Sequence, residues 1–160
     1  MKPKIGLLYG GLSAEREVSL ITGENVYKSL IKLGYEVIKI DVDRNLSQKI
    51  IENKLDIAFI ALHGTYGEDG CVQGLLEVMG IPYTHSGVLA SSICMHKPTA
   101  KLLFNSLGID VAYSKIILKD EILSEKKLYD KKYVLKPTSE GSSVNTYIFD
   151  GEHDFNEENY

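Results

Sequence analysis

Four short stretches of the 160-residue chain carry side chains that could do chemistry. The first is Gly10-Gly-Leu-Ser-Ala-Glu15. A glycine turn at the start of a helix is where a dinucleotide fold seats its phosphates, but this one does not match G-x-G-x-x-G. Glu15 would also aim a negative charge at that place, which disfavours an anion and favours an ammonium group. The alternative is that Glu15 merely complements the helix dipole. The second stretch is His63-Gly-Thr-Tyr-Gly-Glu-Asp-Gly70, with three glycines in eight residues. Such a loop lets backbone approach a ligand closely. His63, Glu68 and Asp69 could shuttle protons, or they could serve the loop itself, with the carboxylates capping the next helix. Their spacing fits no standard zinc pattern.

The other two stretches hold lysines. Lys136 ends the apolar run Tyr133-Val-Leu, so its ammonium is expected to be partly buried and to need an anionic partner such as a phosphate. Ser139-Glu-Gly-Ser-Ser143 follows it and offers hydroxyls and backbone N–H groups from Ser142 and Ser143. The alternative there is a plain hairpin turn. Lys97, just before Pro98, is a second candidate phosphate ligand or an ordinary surface lysine.

Strands and helices must position these loops. Lys4–Tyr9 and Asp56–Leu62 are apolar runs of the kind that form buried parallel strands, and Tyr35–Ile40 alternates as a strand does. Ile81–Thr84 reads as a fourth, shorter strand. Helices are predicted over Glu15–Leu33, Leu46–Glu52, Cys71–Met79, Val88–Met95 and Pro98–Leu107. In the first, Ser13 is the expected N-cap, and Val26, Tyr27, Leu30 and Ile31 form the expected buried face. The order β-α-β-α-β-α-β means an α/β fold with a parallel sheet flanked by helices. Ligands in such sheets sit beyond the strands' carboxyl ends, which points to Gly10–Glu15, His63–Gly70 and Thr84–Gly87. After Gly108 the pattern becomes antiparallel, with strands expected over Ala112–Leu118, Lys132–Lys136 and Thr146–Phe149. This divides the chain into domains 1–107 and 108–160. The tail from Asp150, rich in Asp, Glu and Asn, is expected to fray.

Net charge is −4 and hydrophobic content 44%, with no basic stripe for nucleic acid and no apolar run that reads as a signal peptide or membrane span. Cys71 and Cys94 lie far apart in unlike contexts and are expected as buried free thiols of a cytoplasmic protein.

Taken together and in order, the loops resemble those of the D-alanine–D-alanine ligases. The matching blocks are Gly10-Gly-Leu-Ser-Ala-Glu-Arg-Glu-Val-Ser-Leu20, His63-Gly-Thr-Tyr-Gly-Glu-Asp-Gly70 and Gln73-Gly-Leu-Leu-Glu77. They continue with Ile81-Pro-Tyr-Thr84, Ser86-Gly-Val-Leu-Ala-Ser91 and Lys136-Pro-Thr-Ser-Glu-Gly-Ser-Ser-Val144. The resemblance implies a Rossmann-like pre-ATP-grasp domain followed by an incomplete ATP-grasp central domain. It implies an enzyme in which ATP phosphorylates the carboxylate of one D-alanine and the amine of a second attacks the acyl phosphate, making a dipeptide for peptidoglycan. By the same resemblance Glu15 contacts the first D-alanine's ammonium and His63 stands near that subsite. Lys97 and Lys136 hold ATP phosphates. Ser142 joins Glu15 in a network closing the site, and Ser143 lies on the phosphate-covering loop. Mg2+ is the implied metal, with no ligands among these residues, and a homodimer through the first domain is the implied assembly.

Three positions depart from the family's usual pattern: His85 and Asn145 stand where it has Gly, and His96 where it has Asp. His85 adds a side chain, His96 removes a capping carboxylate beside Lys97, and Asn145 tolerates a positive φ. Such ligases are about twice this length. The adenine-binding hinge, the arginine that stabilises the transferring phosphoryl group and the metal ligands have no counterpart here. The 160 residues alone are therefore expected to be inactive, as one piece of a ligase or as a non-catalytic dimerising module.

Overall fold

The computed structural model describes residues 2–124, 129 and 131–150. Its centre is β1 (Lys4–Tyr9), flanked in parallel by β2 (Glu36–Asp41) and β3 (Ile57–Ile60) in the order β2-β1-β3. The helices α1 (Arg16–Lys32), α2 (Leu46–Asn53) and α3 (Cys71–Val78) alternate with the strands. Side chains along β1 point alternately to the two faces. Leu8 joins Ile40, Ala58, Ile60, Leu46, Ile50, Val72 and Leu76 in one buried cluster under α2 and α3. On the same face a Cβ at Gly6 would lie 2.1 Å from Leu55 Cδ1, so glycine is what lets Leu55 lie flat on the strand.

The opposite face is set by small residues. The fully buried positions of α1 are Ser19 and Gly23, one helical turn apart. A Cβ at Gly23 would meet Tyr9 at 2.6 Å. Ser19 Oγ donates to the Ala61 carbonyl at 2.7 Å. Of the expected apolar face, Val26, Tyr27 and Leu30 are only half-buried and Ile31 is exposed. The helix lies close enough to Tyr9 at Gly23 that a larger side chain would not fit there.

The fourth strand does not form. Residues 81–84 give a single parallel bridge, Ala58 with Tyr83. Pro82 has no N–H to donate, so the ladder cannot extend through it. Its carbonyl accepts from the Ala58 amide at 2.8 Å, and the Thr84 hydroxyl accepts the Ile60 amide at 3.2 Å. Then come α4 (Val88–Met95) and α5 (Lys97–Ser106). Both cysteines are exposed rather than buried. No helix among the described residues is long and apolar enough to cross a membrane.

Beyond α5 the described residues form α6 (Lys119–Ser124) and an antiparallel pair, β4 (Tyr133–Leu135) with β5 (Tyr147–Phe149). Tyr133 stacks on Phe149 with ring centroids 4.8 Å apart. The strand expected over 112–118 is absent, for no neighbouring strand among the described residues offers it a ladder. The tail 151–160 lies outside the described residues.

Candidate functional site

The site is built where β1 and β3 end. Gly10 and Gly11 turn with φ of +69° and +85°, conformations that favour glycine. The Arg16 guanidinium clamps this turn. It donates to Asp41 in a two-pronged pair, at 2.7 Å to Oδ1 and 2.6 Å to Oδ2, and to the Gly11 carbonyl at 3.0 Å. Fork-to-fork pairing of this kind fixes orientation as well as distance. The hydrogen bond from Arg16 holds the Asp41 carboxyl below its usual range, although burial opposes the shift. A Cβ on Gly10 would fall 2.3 Å from Asp41 Oδ1, so the clamp and the glycine require each other.

The clamp delivers Glu15 to the head of α1. Ser13 is not the N-cap; Glu15 holds that position, without a side-chain capping bond. The Ser13 hydroxyl instead accepts the Glu15 amide at 3.1 Å and donates to the His63 carbonyl at 2.7 Å. One hydroxyl thus ties together the two loops that carry Glu15 and His63. These two residues lie at the same carboxyl edge of the sheet.

Glu15 is only 5% exposed. Its carboxylate sits against two glycines: a Cβ at Gly64 would come 2.7 Å from Oε1, and one at Gly141 would come 2.8 Å from it. Ser142 donates its hydroxyl to Glu15 Oε2, across 127 residues of sequence. The loop that carries Ser142 is held at a second point, by the start of α5. The Lys97 ammonium donates to the Glu140 carbonyl, and the Lys97 amide donates to the Thr138 carbonyl at 2.9 Å. Ser142, Ser143 and Asn145 all have positive φ, of 45°, 60° and 51°. Asn145 is thus a type that tolerates its own backbone, and its Nδ2 donates to Glu140 Oε2 at 2.9 Å.

His63 is half-buried, its Nε2 lies 2.9 Å from Thr22 Oγ1, and its Nδ1 faces Glu68 Oε1 at 3.8 Å. The two acids of the loop serve its backbone. Glu68 Oε2 accepts the Gly64 amide at 2.9 Å. Asp69 accepts the amides of Tyr66 and of Cys71, the first residue of α3, at 2.8 and 3.0 Å. Gln73 is fully buried and donates to the Gly67 carbonyl at 2.7 Å, while its Oε1 has no partner among the described residues.

Two adjoining cavities share Leu12, Ser13, Thr65 and Tyr66. One, of about 210 Å³, is lined by Glu15, Glu140, Gly141 and Val144. The other, of about 370 Å³, is lined by His63, Gly10, Gly11 and the start of α3. Residues 84–87, expected at the site, line neither. His85 turns to solvent, its Nδ1 2.8 Å from the Thr84 carbonyl. His96 sits at the cap position of α5, with Nδ1 2.6 Å from Thr99 Oγ1.

Lys136 is exposed, not partly buried as its strand suggested, because β4 is three residues long in a two-stranded sheet. Lys97 is the half-buried one. Burial pushes its ammonium down, and the charge of Lys136 adds to this, with Glu140 opposing. Ser143 is exposed on the loop that Lys97 holds. Two cations near one loop, one of them destabilised, make a place where an anion would bind favourably. Arg16, Asp41, Ser13 and Thr22 were not singled out for these contacts from sequence. Each finds its partner 25 to 50 residues away, which only the topology brings together.

The family profile described as "D-ala D-ala ligase N-terminus" matches residues 45–86. A curated relative from Wolbachia pipientis wMel, named D-alanine–D-alanine ligase, is 48% identical over 155 residues, which are 97% of this chain and 49% of the relative. The crystal structure of D-alanine–D-alanine ligase from Bacillus anthracis superposes with a TM-score of 0.73 at 37% identity, covering 92% of this chain and 49% of that one. A structure of the same enzyme complexed with ATP gives 0.69 at 35% identity, covering 90% and 50%. The chain spans about half the length of the relatives it matches.

Proposed function

We propose that this chain, similar to D-alanine–D-alanine ligases over about half their length, is a member of that family and supplies the amine-binding edge and one phosphate-binding wall of such a ligase. The observation that carries this is the buried Glu15 carboxylate, held against Gly64 and Gly141 and hydrogen-bonded by Ser142. A buried carboxylate favours a cationic partner, and the ammonium of D-alanine is one. In this reading Glu15 takes that ammonium and His63 stands beside the same subsite.

Lys97, Lys136 and Ser143 form the wall that takes ATP phosphates. The cation pair fits a polyanion on its own evidence, since an anion would relieve the cost that burial and Lys136 impose on Lys97. ATP, when bound, supplies the phosphoryl group that activates one D-alanine's carboxylate toward the amine of a second. The part of this chain in that chemistry is placement. Ser142 spans the two subsites, so seating the phosphate loop and orienting Glu15 become one event. Among the described residues no group of three or more His, Cys, Asp or Glu could hold a metal ion, and the Mg2+ that accompanies ATP takes its other ligands from water and phosphate oxygens.

The division at residue 107 separates an amine-binding domain from a portion of an ATP-grasp domain. Exposed apolar side chains stand on α3, α4 and α5 and just after α5, among them Val78, Leu89, Leu102 and Leu107. Exposed apolar surface of this kind suits self-association as a homodimer. An enzyme that consumes ATP to make a peptidoglycan precursor works in the cytoplasm.

Complementation tests the proposal. Residues 1–160 with ATP, Mg2+ and D-alanine should release phosphate only at background. Adding in trans the remaining half of the Wolbachia relative should produce D-alanyl-D-alanine. Glu15→Gln should cut that activity by roughly a hundredfold, the usual cost of a lost preorganised charge contact. Dipeptide made by the 160 residues alone, or complemented activity indifferent to Glu15→Gln, would overturn it.

A further inference from the structure

His63 is held from the same helix that begins at the Glu15 cap. Thr22 Oγ1 on α1 lies 2.9 Å from His63 Nε2. On the other side of the ring, Nδ1 faces Glu68 Oε1 at 3.8 Å. That carboxylate is fixed in turn, because its second oxygen accepts the Gly64 amide at 2.9 Å. A neutral imidazole has one N–H and one bare nitrogen. The neighbouring carboxylate favours the proton on Nδ1, which leaves Nε2 bare and needing a donor. Serine and threonine within helices commonly donate to the carbonyl one turn back, as Ser29 does to Asn25 at 2.9 Å. Thr22 has no such bond among the described residues, so its hydroxyl proton is available to Nε2.

We infer that Thr22 is a positioning residue for His63: it donates to Nε2, fixes the ring plane, and holds the neutral ring as the Nδ1–H tautomer. Free imidazole side chains favour Nε2–H, so the environment reverses the ordinary choice. The consequence for function rests on the reading of His63 as a substrate-side residue. On that reading a single helix references both groups, Glu15 from its cap position and His63 through Thr22 about two turns on.

The tautomer is read from imidazole 15N chemical shifts of the full chain labelled at histidine, at a pH where the ring is neutral. The His63 signals are assigned by their loss in His63→Gln. Wild type should show the Nδ1–H pattern. Thr22→Val, close in shape and without the donor, should move the tautomer ratio toward Nε2–H by roughly tenfold, the worth of one hydrogen bond. Thr22→Ser should restore the wild-type pattern. An Nε2–H pattern in wild type, or an unchanged ratio in a folded Thr22→Val protein, would overturn the inference. If Thr22→Val does not fold, Thr22→Ala takes its place with the same expectation. The spectrum needs no substrate and the complementation assay needs no tautomer, so the inference and the proposed function fail separately.

Discussion

Replacing Ser142 by alanine removes the one side-chain hydrogen bond that Glu15 accepts among the described residues. The carboxylate it leaves is buried, and an unsatisfied buried acceptor is costly. The cost has a ceiling, because the loop over 138–145 can lift and let water reach Glu15. The penalty therefore falls on loop closure and not on global folding. A hydrogen bond to a charged group is worth about 1.5–3 kcal/mol. Ser142 is exposed, which argues for the lower end, so the closed-to-open ratio should fall about tenfold.

Closure has a built-in reporter. The Lys97 amide donates to the Thr138 carbonyl, a bond made only when the loop lies down. In Ser142→Ala, hydrogen exchange at Lys97 should accelerate about tenfold, while the amides of Leu7 and Leu8 in β1 stay as in wild type. Gly141→Ala should do the same by another route. Gly141 has no positive φ to strain, but its new Cβ would lie 2.8 Å from Glu15 Oε1 and push the carboxylate or the loop away. If Lys97 exchange is unchanged in both variants, Glu15 is not what seats the loop. If β1 exchange rises by the same factor, the loop does not open separately, and the division of the penalty is wrong.

Two further outcomes follow from the fold. The Asp41 carboxyl is held low by Arg16, so the pair stabilises the native state above the unfolded carboxyl pKa and loses that contribution as pH falls through the folded value. Both side chains are about two-fifths exposed, at 41% and 43%, which keeps the effect small. Asp41→Asn should lower Tm by about 2–4 °C at pH 7, and the gap should close toward pH 3; an equal gap at both would show that the carboxylate's charge is not involved. The β4–β5 pair has only two strands, with Val134 and Ile148 exposed, and such pairs are weak. Amides of Tyr133–Leu135 should exchange at least roughly tenfold faster than those of Phe59 and Ala61, and equal rates would mean the pair is buttressed as firmly as the main sheet.

What could be read from the sequence divides by range. The three parallel strands and the helices α1 to α5 were legible because each is a local pattern of apolar spacing, several of them bounded by glycine. The errors arose where tertiary contact overrules local pattern. Pro82 sits in a segment that reads as a strand and forbids the ladder. Ser19 and Gly23 look like poor core residues, yet they are the buried ones because α1 crosses Tyr9 closely. Residues 112–118 are apolar enough to read as a strand but find no partner strand among the described residues. At the site, the charge of Glu15 was informative in part, since it disfavoured a phosphate there but equally suited a plain complement to the helix dipole. Ser13, Thr22 and the Arg16–Asp41 clamp were not, because a hydroxyl or an ion pair has no meaning until its partner is known.

The charges explain why the site needs two loops from distant parts of the chain. Glu15 calls for a cation, whereas Lys97 and Lys136 call for an anion. Left to themselves these groups would attract one another, and a lysine that reached Glu15 would neutralise both halves of the site. The structure prevents this with neutral contacts. Lys97 donates a hydrogen bond to a backbone carbonyl, that of Glu140, and Glu15 accepts one from a hydroxyl, that of Ser142. Both contacts come from one short loop, so each end keeps its charge for a ligand. A cationic group at one end and an anionic one at the other suit such a layout, and the amine and phosphates proposed above are such a pair. Replacing Ser142 with lysine would test the point directly: it should hold the loop at least as firmly by Lys97 exchange and yet abolish complemented ligase activity. Activity retained in Ser142→Lys would mean that the charge of Glu15 is not what the substrate reads.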